Sequence, residues 1–431
     1  MTVADTTATV RILDEAVPAR APIWFRGRSF STEKRFWYGT QRVIAPSETV
    51  ARARRHFTRV GLTRLANITG LDRIGIPTVL SIRPNSPVLS VDAGKGFTID
   101  AAMASAAMEC IERFHAETVE LPVIRAPYEQ IAAEHDAIAI DGLPLKKHDV
   151  FNIRWPYRWT LGWDMVGQGE VAAPTAMVAM QVCNQGREVQ PFQAGSNGLS
   201  SGNTFLEAVE GGLLEVVERD AAACHRLAWD RYGRSIPRVR PETITHPLVL
   251  ELFDRFDRTG MAAVLFDCTV DTAVPVYLAY LYDRRSRHIG IYSGCGAHLD
   301  PEIAMVRALT EAVQSRLIFI AGSRDDFFRH SYLRLKHDDD ASTIARLEAI
   351  PAQVDARTTV SSATPTFEGD VHIIIDRLRA AGLTQVLVYD LTLPGFDVSA
   401  VRVIVPGLEG YLFSSYAPGR RAKAFLKECS Q

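Results

Sequence analysis

The chain has 431 residues, enough for a large core, with 48 Lys and Arg against 50 Asp and Glu and a net charge of −2. That balance offers no global electrostatic case for nucleic acid or for an anionic membrane surface. Hydrophobic content of 47% and charged content of 23% are ordinary globular values, and the length suggests roughly two or three domains.

Cysteines stand at 110, 183, 224, 268, 295 and 429, with no CxxC pair, which argues against a zinc ribbon or redox motif and fits a reducing cytosol. The opening MTVADTTATVRILDEAV has no basic stretch followed by an apolar run, so it does not read as a signal peptide. No apolar run reaches the roughly 18 residues of a membrane span, and a cytoplasmic protein is expected.

Residues 1–45 lack periodicity. Within them, the basic and aromatic segment 25–42 reads as a solvated entry, with a small nucleic-acid patch as the sharper alternative. A helix is expected from Ser47 to Val60, then two strands within 61–84 joined near Leu71-Asp72-Arg73. Gly94-Lys95-Gly96 follows. Its glycines would let backbone approach a phosphate and its lysine would supply a point charge, although an ordinary turn explains the tripeptide as well, and the Walker A pattern is absent.

The helix expected over 100–119 has Met103, Ala107, Ile111 and Phe114 as its apolar stripe and Ser105, Glu109 and Glu112 on a neighbouring face. Glu112 and His115 form a Glu-x-x-His, but the matching position of the second acidic helix is Ala221, which argues against a di-iron centre. His115 then reads as a surface or core-edge residue. The tryptophans of 154–164 read as loop residues packed on the core, and 171–183 as a buried strand.

A Gly/Ser/Asn loop at 190–205 opens a helix over about 204–228, where Thr204 and Glu207 make a capping box and Asn203 can cap. This helix carries Glu215, Glu218 and Arg219, the same x-x-x-Glu-x-x-Glu-Arg pattern as Glu109, Glu112 and Arg113. A helix over 248–260 and strands over 262–270, 275–283 and 288–298 come next. Asp300-Pro301-Glu302 starts a third helix, to about Ile320, with Arg307, Glu311, Gln314 and Arg316. Residues 321–370 read as a polar, partly mobile excursion with one short helix, and Asp338-Asp339-Asp340 as a solvated turn or helix start. A helix at 371–381 and strands at 384–392 and 400–407 close an α/β body.

Carboxylates three apart share a helix face and repel. Burying several of them unpaired is prohibitive. Either each meets an arginine, or they converge on divalent ions. With no His or Cys partner, oxygen donors suit Mg²⁺, which commonly shares its shell with phosphates. The residues alone therefore leave open an Mg-nucleotide site without a P-loop, a set of structural Glu–Arg pairs, and another metal enzyme.

Three ordered segments, GIPTVLSIRPNSPVLSVDAGKGFTIDAAMASAAMECIERFHAE, SNGLSSGNTFLEAVEGGLLEVVERDA and GCGAHLDPEIAMVRALTEAVQSR, resemble the YcaO family, and VPGLEG at 405–410 extends the match. The resemblance implies a YcaO-like α/β (α+β) fold of mixed and antiparallel sheets flanked by helices that carry the ATP site. It places a YcaO domain over 41–431 after an extension of about 40 residues. It implies ATP-dependent phosphorylation of a peptide backbone amide oxygen during attack on the amide carbon by Cys, Ser or Thr, giving an azoline, or by sulfide, giving a thioamide. By the same resemblance, Glu109, Glu112, Glu215 and Glu218 hold Mg²⁺, and Lys95, Ser105, Asn203, Arg219, Glu311, Gln314 and Arg316 bind ATP. Lys95, Arg219 and Arg316 would face phosphates. The ending AFLKECSQ departs from the Pro-rich tail of azoline-forming members. With NSPVLSVDAGKG, it resembles members that work with a TfuA partner in thioamide formation, as part of ribosomal peptide (bacteriocin-like) biosynthesis. Azoline formation and a non-catalytic ATP-binding role are the alternatives. A precursor peptide or protein substrate and a homodimer are also implied.

Overall fold

The computed structural model describes residues 20–180, 191–285, 290–328, 332, 340–410 and 416–428. Three sheets carry the architecture. A three-stranded antiparallel sheet runs Arg64–Asn67, Thr78–Ile82, Val91–Lys95. A second has the order Ile291–Ala297, Val276–Asp283, Met261–Asp267, Arg238–Val239, Ala352–Val354, and only its last pairing is parallel. The third has the order Gly169–Pro174, Pro156–Asp164, Leu387–Asp390, Ser399–Ile404, Leu199–Gly202, with Ile124–Pro127 added on the Pro156–Asp164 strand.

Each sheet ends in the same device: a strand, a tight turn, and a helix that doubles back over the strand. The first site helix, Ile99–Thr118, follows Val91–Lys95; the second, Phe205–Tyr232, follows Leu199–Gly202; the third, Pro301–Ala321, follows Ile291–Ala297. All three are started by side-chain caps, from Thr98 to the Ala101 N–H, Thr204 to Glu207 and Asp300 to Glu302. The helices lie so close that a strand side chain would not fit. A Cβ on Gly94 would stand 2.1 Å from the Ala106 nitrogen and 2.3 Å from the Ala102 oxygen. Gly296 faces Ala304 and Ala308 at 2.3 and 2.7 Å, at the same offsets of eight and twelve residues. Counting on from these glycines, Glu109 matches Glu311 and Glu112 matches Gln314.

The second site helix is nearly all buried. Leu213, Val217 and Ala221 pack with Phe266, Val276, Val401 and Val403 into a core shared by two sheets. Another core joins the third site helix to the Pro247–Arg258 helix through Leu309, Val313, Leu252 and Phe256. No helix among the described residues is long and apolar enough to cross a membrane.

Several expectations change. Residues 25–42 are not a solvated entry: Phe25 joins the core, and Lys34, only 5% exposed, forms ion pairs with Asp370 and, at 3.7 Å, with Glu210. Gly94 and Lys95 end a strand rather than form a turn. The tryptophan segment is strand Pro156–Asp164, with Trp159 fully buried, so its packing role stands but its loop assignment does not. The strand expected over 171–183 ends at Pro174 and passes into the short helix Thr175–Val178; residues 181–183 lie outside the described set. His115 is neither surface nor core-edge. It is fully buried against Phe396, and burial pushes its pKa down to about 4. From residue 340 the supposed excursion is built into the body, with Ile344 and Leu347 in the core and Ala352–Val354 paired to Arg238–Val239. Asp340 is buried, whereas Asp338 and Asp339 lie outside the described residues. The last long helix starts at Phe367 rather than 371.

The helix–strand approach predicts that Gly94→Ala lowers stability by about 1–3 kcal/mol or more, since the new methyl meets backbone that cannot yield. Urea unfolding of the variant measures this; an unchanged midpoint would refute the close packing.

Candidate nucleotide and metal site

The three site helices converge on one cavity of about 520 Å³. Lys95, Ser105, Glu109, Glu112, Asn203, Glu215, Glu218, Arg219, Glu311 and Gln314 all line it. The helix phase explains the convergence. On each helix the alanine, leucine and valine positions face strand and core, so the residues three and four apart on the remaining stripe face one another across the gap.

Ion pairs and hydrogen bonds hold the acids in place. Lys95 Nζ reaches Glu311 Oε2 at 3.1 Å, bridging the first and third units. Arg219 lies 3.7 Å from Glu215, one turn away on the same helix. Arg307 lies 3.9 Å from Glu218, which also accepts the Ala297 N–H at 3.1 Å. Ser201 Oγ donates to Glu112 at 3.2 Å. Arg113 bridges Glu109 at 3.2 Å and buried Asp92 at 2.7 Å.

These pairings do not fully compensate the charge. Burial, then Glu215 and Glu109, holds the Glu112 carboxyl well above its usual range. Burial pushes Glu215 up to about 7 against the pull of Arg219, with Glu218 adding repulsion. Glu218 is raised by burial and by Glu311. Glu311 goes the other way: burial works to raise it, but Lys95 and Arg219 bring it below the ordinary value. The cavity therefore holds desolvated acids short of positive charge. Asn203 tells the same story. Its amide donates to Thr49 Oγ1 at 3.0 Å and to Glu207 at 3.4 Å, while its Oδ1 is buried with no partner. That leaves the cavity wall with an acceptor available beside its acids.

The donor set is all oxygen and suits Mg²⁺. Among the described residues, no group of three or more His, Cys, Asp or Glu side chains is arranged to hold a metal unaided. Mg²⁺ commonly completes its shell with water and phosphate oxygens rather than in an all-protein cage.

Two sequence assignments need comment. Gln314 lines the cavity, but its amide donates to the Ala93 carbonyl at 2.6 Å, where it ties the third site helix to the strand Val91–Lys95. Arg316 does not line the cavity. Two residues past Gln314, its side chain leaves the opposite face, where Nε bonds Asp72 at 2.7 Å and the guanidinium stacks on Tyr292. Its expected phosphate contact is not what this arrangement offers.

Other residues were missed by the sequence reading. Arg42, Thr49, Glu207, Glu210, His298 and Arg307 also line the cavity. Glu207 had been read only as half of a capping box; its carboxylate accepts the Val43 N–H at 3.3 Å and faces Arg42 at 3.6 Å. For Glu207 and Glu210 the signal was the extension of the acidic pair Glu215 and Glu218 toward the start of the second helix; the other four gave none. Arg402, fully buried on the Ser399–Ile404 strand, gave no sequence signal. Burial lowers its pKa to about 10, against the opposing influence of Glu215 and Glu112.

Comparison with known proteins places this geometry. The family described as YcaO cyclodehydratase, ATP- and Mg²⁺-binding, matches residues 93–409, which contain every carboxylate discussed for the metal. The chain belongs to the YcaO family. It is 37% identical over 385 residues to an uncharacterized protein in the tfuA 3′ region of Rhizobium leguminosarum bv. trifolii, covering 87% of this chain and 90% of that one. The solved structure of YcaO from Methanopyrus kandleri bound with AMPPCP and Mg²⁺ superposes with a TM-score of 0.69 at 28% identity, covering 88% of this chain and 95% of that one. A heterocyclase in complex with substrate and cofactor gives a TM-score of 0.77 at 23% identity and shares the fold; 91% of this chain covers 55% of its length. The expected α/β (α+β) class and the ATP and Mg²⁺ expectation agree with these findings.

Two outcomes follow. Glu215 has an ordinary pKa of 4.5 when unfolded and about 7 in the ligand-free fold. Its burial is harmless below pH 4.5 and increasingly unfavourable as pH rises to 7, because the unfolded chain then holds fewer protons. Glu215→Gln should thus stabilise the ligand-free protein by about 1–3 kcal/mol at pH 8 and by little at pH 4.5, as read by denaturant melts across that range. Arg316→Met should cost about 3–5 kcal/mol in stability by stranding buried Asp72, yet leave Mg-ATP affinity unchanged by calorimetry; a large loss of affinity would return Arg316 to the site.

Proposed function

We propose that this chain binds Mg-ATP in the three-helix cavity and activates a backbone amide of a peptide or protein substrate, with thioamide formation as the outcome. One observation carries the reading: acids from three helices meet in one cavity with Lys95 and Arg219 while remaining short of positive charge. In this reading, bound Mg-ATP supplies a phosphoryl group to the amide oxygen, so that the oxygen departs as phosphate when sulfide adds to the carbon.

The chain's own residues position and neutralise. Glu109, Glu112, Glu215 and Glu218 offer oxygen donors to the metal, and their desolvation makes a cation welcome. Lys95 and Arg219 are held at the cavity by Glu311 and Glu215, and can turn from these acids to anionic oxygens. Ser105, Asn203, Glu311 and Gln314 complete the wall, with the Asn203 Oδ1 left for a donor on the nucleotide. Such a site works by orientation and electrostatics, and the cavity lining described here presents no Ser/His/Asp nucleophile set.

The thioamide outcome is supported by the relative from a tfuA 3′ region. On this reading the chain acts in the cytoplasm as a homodimer with a TfuA-type partner, in ribosomal peptide maturation, and its YcaO domain spans 41–431. The family description, cyclodehydratase, favours azoline formation as the second reading. Purified protein with Mg-ATP, a sulfide source, a TfuA-type partner and the cognate peptide should release ADP and phosphate in a peptide-dependent manner. Glu215→Ala should reduce that turnover by about a hundred- to a thousandfold, in line with removal of a principal electrostatic element. A product heavier by the difference between sulfur and oxygen identifies the thioamide, whereas loss of one water identifies the azoline. ATP binding without peptide-stimulated turnover would leave only a nucleotide-binding accessory.

A further inference from the structure

The turn between the strand Ile291–Ala297 and the third site helix carries His298, a residue the site's carboxylate chemistry does not use. The side chain lines the cavity and is 5% exposed. Its Nδ1 faces the backbone N–H of Asp300 at 2.9 Å. A backbone amide only donates, so Nδ1 is the acceptor and the ring proton sits on Nε2. Nε2 has no hydrogen-bond partner among the described residues, yet it is not a sealed unsatisfied atom. On a residue that lines the cavity, it opens on the cavity. Three strands of chain bring cations to the same end: Lys34, Arg42 and Arg307. Burial first, and then these three charges, hold the imidazole well below its ordinary pKa, so the ring stays a neutral donor.

We infer that His298 is a further ligand-binding residue of the cavity, whose fixed Nε2–H donates a hydrogen bond to a phosphate oxygen of the nucleotide. This rests on the nucleotide reading above and adds a recognition element to it. The chemistry is that of a donor only: with the proton locked on Nε2, the ring can neither accept a proton there nor coordinate a metal through that nitrogen. Lys34, Arg42 and Arg307 are each paired with an acid, Glu210 and Asp370, Glu207, and Glu218 respectively, so a neutral N–H donor between these pairs suits an anionic oxygen. The Asp300 N–H anchors the ring to the start of the third helix, giving the contact a fixed direction.

The test titrates Mg-ATP and, separately, adenosine into the wild-type protein, His298→Met and His298→Gln by calorimetry. Met removes the donor, whereas the Gln amide can restore one near the Nε2 position. His298→Met should weaken Mg-ATP by roughly tenfold or more, the effect of losing one hydrogen bond to a charged acceptor. His298→Gln should remain within about threefold of wild type, and adenosine should be unaffected by either change. Equal Mg-ATP affinity in the Met variant overturns the inference, as does a Gln variant as weak as Met. An equal loss with adenosine moves the contact to the nucleoside and overturns the phosphate assignment. Wild-type protein that does not bind Mg-ATP overturns the nucleotide reading itself, a distinguishable result. If the Met variant does not fold, ¹⁵N-histidine spectra of wild-type protein decide: the inference requires an Nε2–H tautomer whose proton shifts on adding Mg-ATP, and an Nδ1–H tautomer or an unmoved signal refutes it.

Discussion

The structure turns on an unfavourable concentration of negative charge. Glu112, Glu215 and Glu218 sit at a meeting point of three helices, where burial works against their ionised forms, and like charges nearby make matters worse. Nothing about folding alone requires this, because apolar residues of similar size would pack the same helices at lower cost. The strain is local and is held in place by a rigid surround: capped helices, glycine-floored strands and the shared apolar core of the second helix. A fold that spends stability on carboxylates in this manner is organised around what will neutralise them.

The surround also explains how distant parts of the chain come to the same place. Lys34 is buried between Glu210 of the second site helix and Asp370 of the Phe367–Ala380 helix, so the early segment and a late helix are tied to the cavity wall by one ammonium group. On the far side, Asp220, next to Arg219, is held by Arg421 of the Arg420–Glu428 helix, and Glu409 caps that helix by accepting the Ala422 N–H at 2.7 Å. The second site helix is therefore braced on either side of its Glu215–Arg219 stretch, at Glu210 and Asp220, by segments remote in sequence, and its acidic stripe is kept in register by contacts that no local motif encodes.

Local physics made part of this readable. Acid pairs three residues apart in otherwise apolar helices marked the wall of the cavity, and the caps at Thr204 and Asp300 marked two helix starts. The three strands over 262–298 were equally plain from their alternation. What escaped depends on packing. Arg316 lies on the same helix as Glu311 and Gln314, but helical phase turns it to Asp72, a partner 244 residues away in sequence. Lys34 and Arg402 look like surface residues by composition and are among the most buried charges. Gly94 read as a turn because its requirement for space, not for conformation, is visible only once Ala102 and Ala106 lie over it. His298 had no pattern at all, since its tautomer is set by one backbone amide.

The matched offsets from Gly94 and Gly296 show that packing and chemistry are set separately. Both units lay a helix against a strand through a glycine, with contacts at offsets of eight and twelve residues. At later equivalent positions the residues differ: Glu112 corresponds to Gln314, a charge in place of an amide, and Lys95 corresponds to Ala297. One packing frame thus carries two different sets of polar residues, because the glycine contacts and not those side chains fix how each helix lies on its strand.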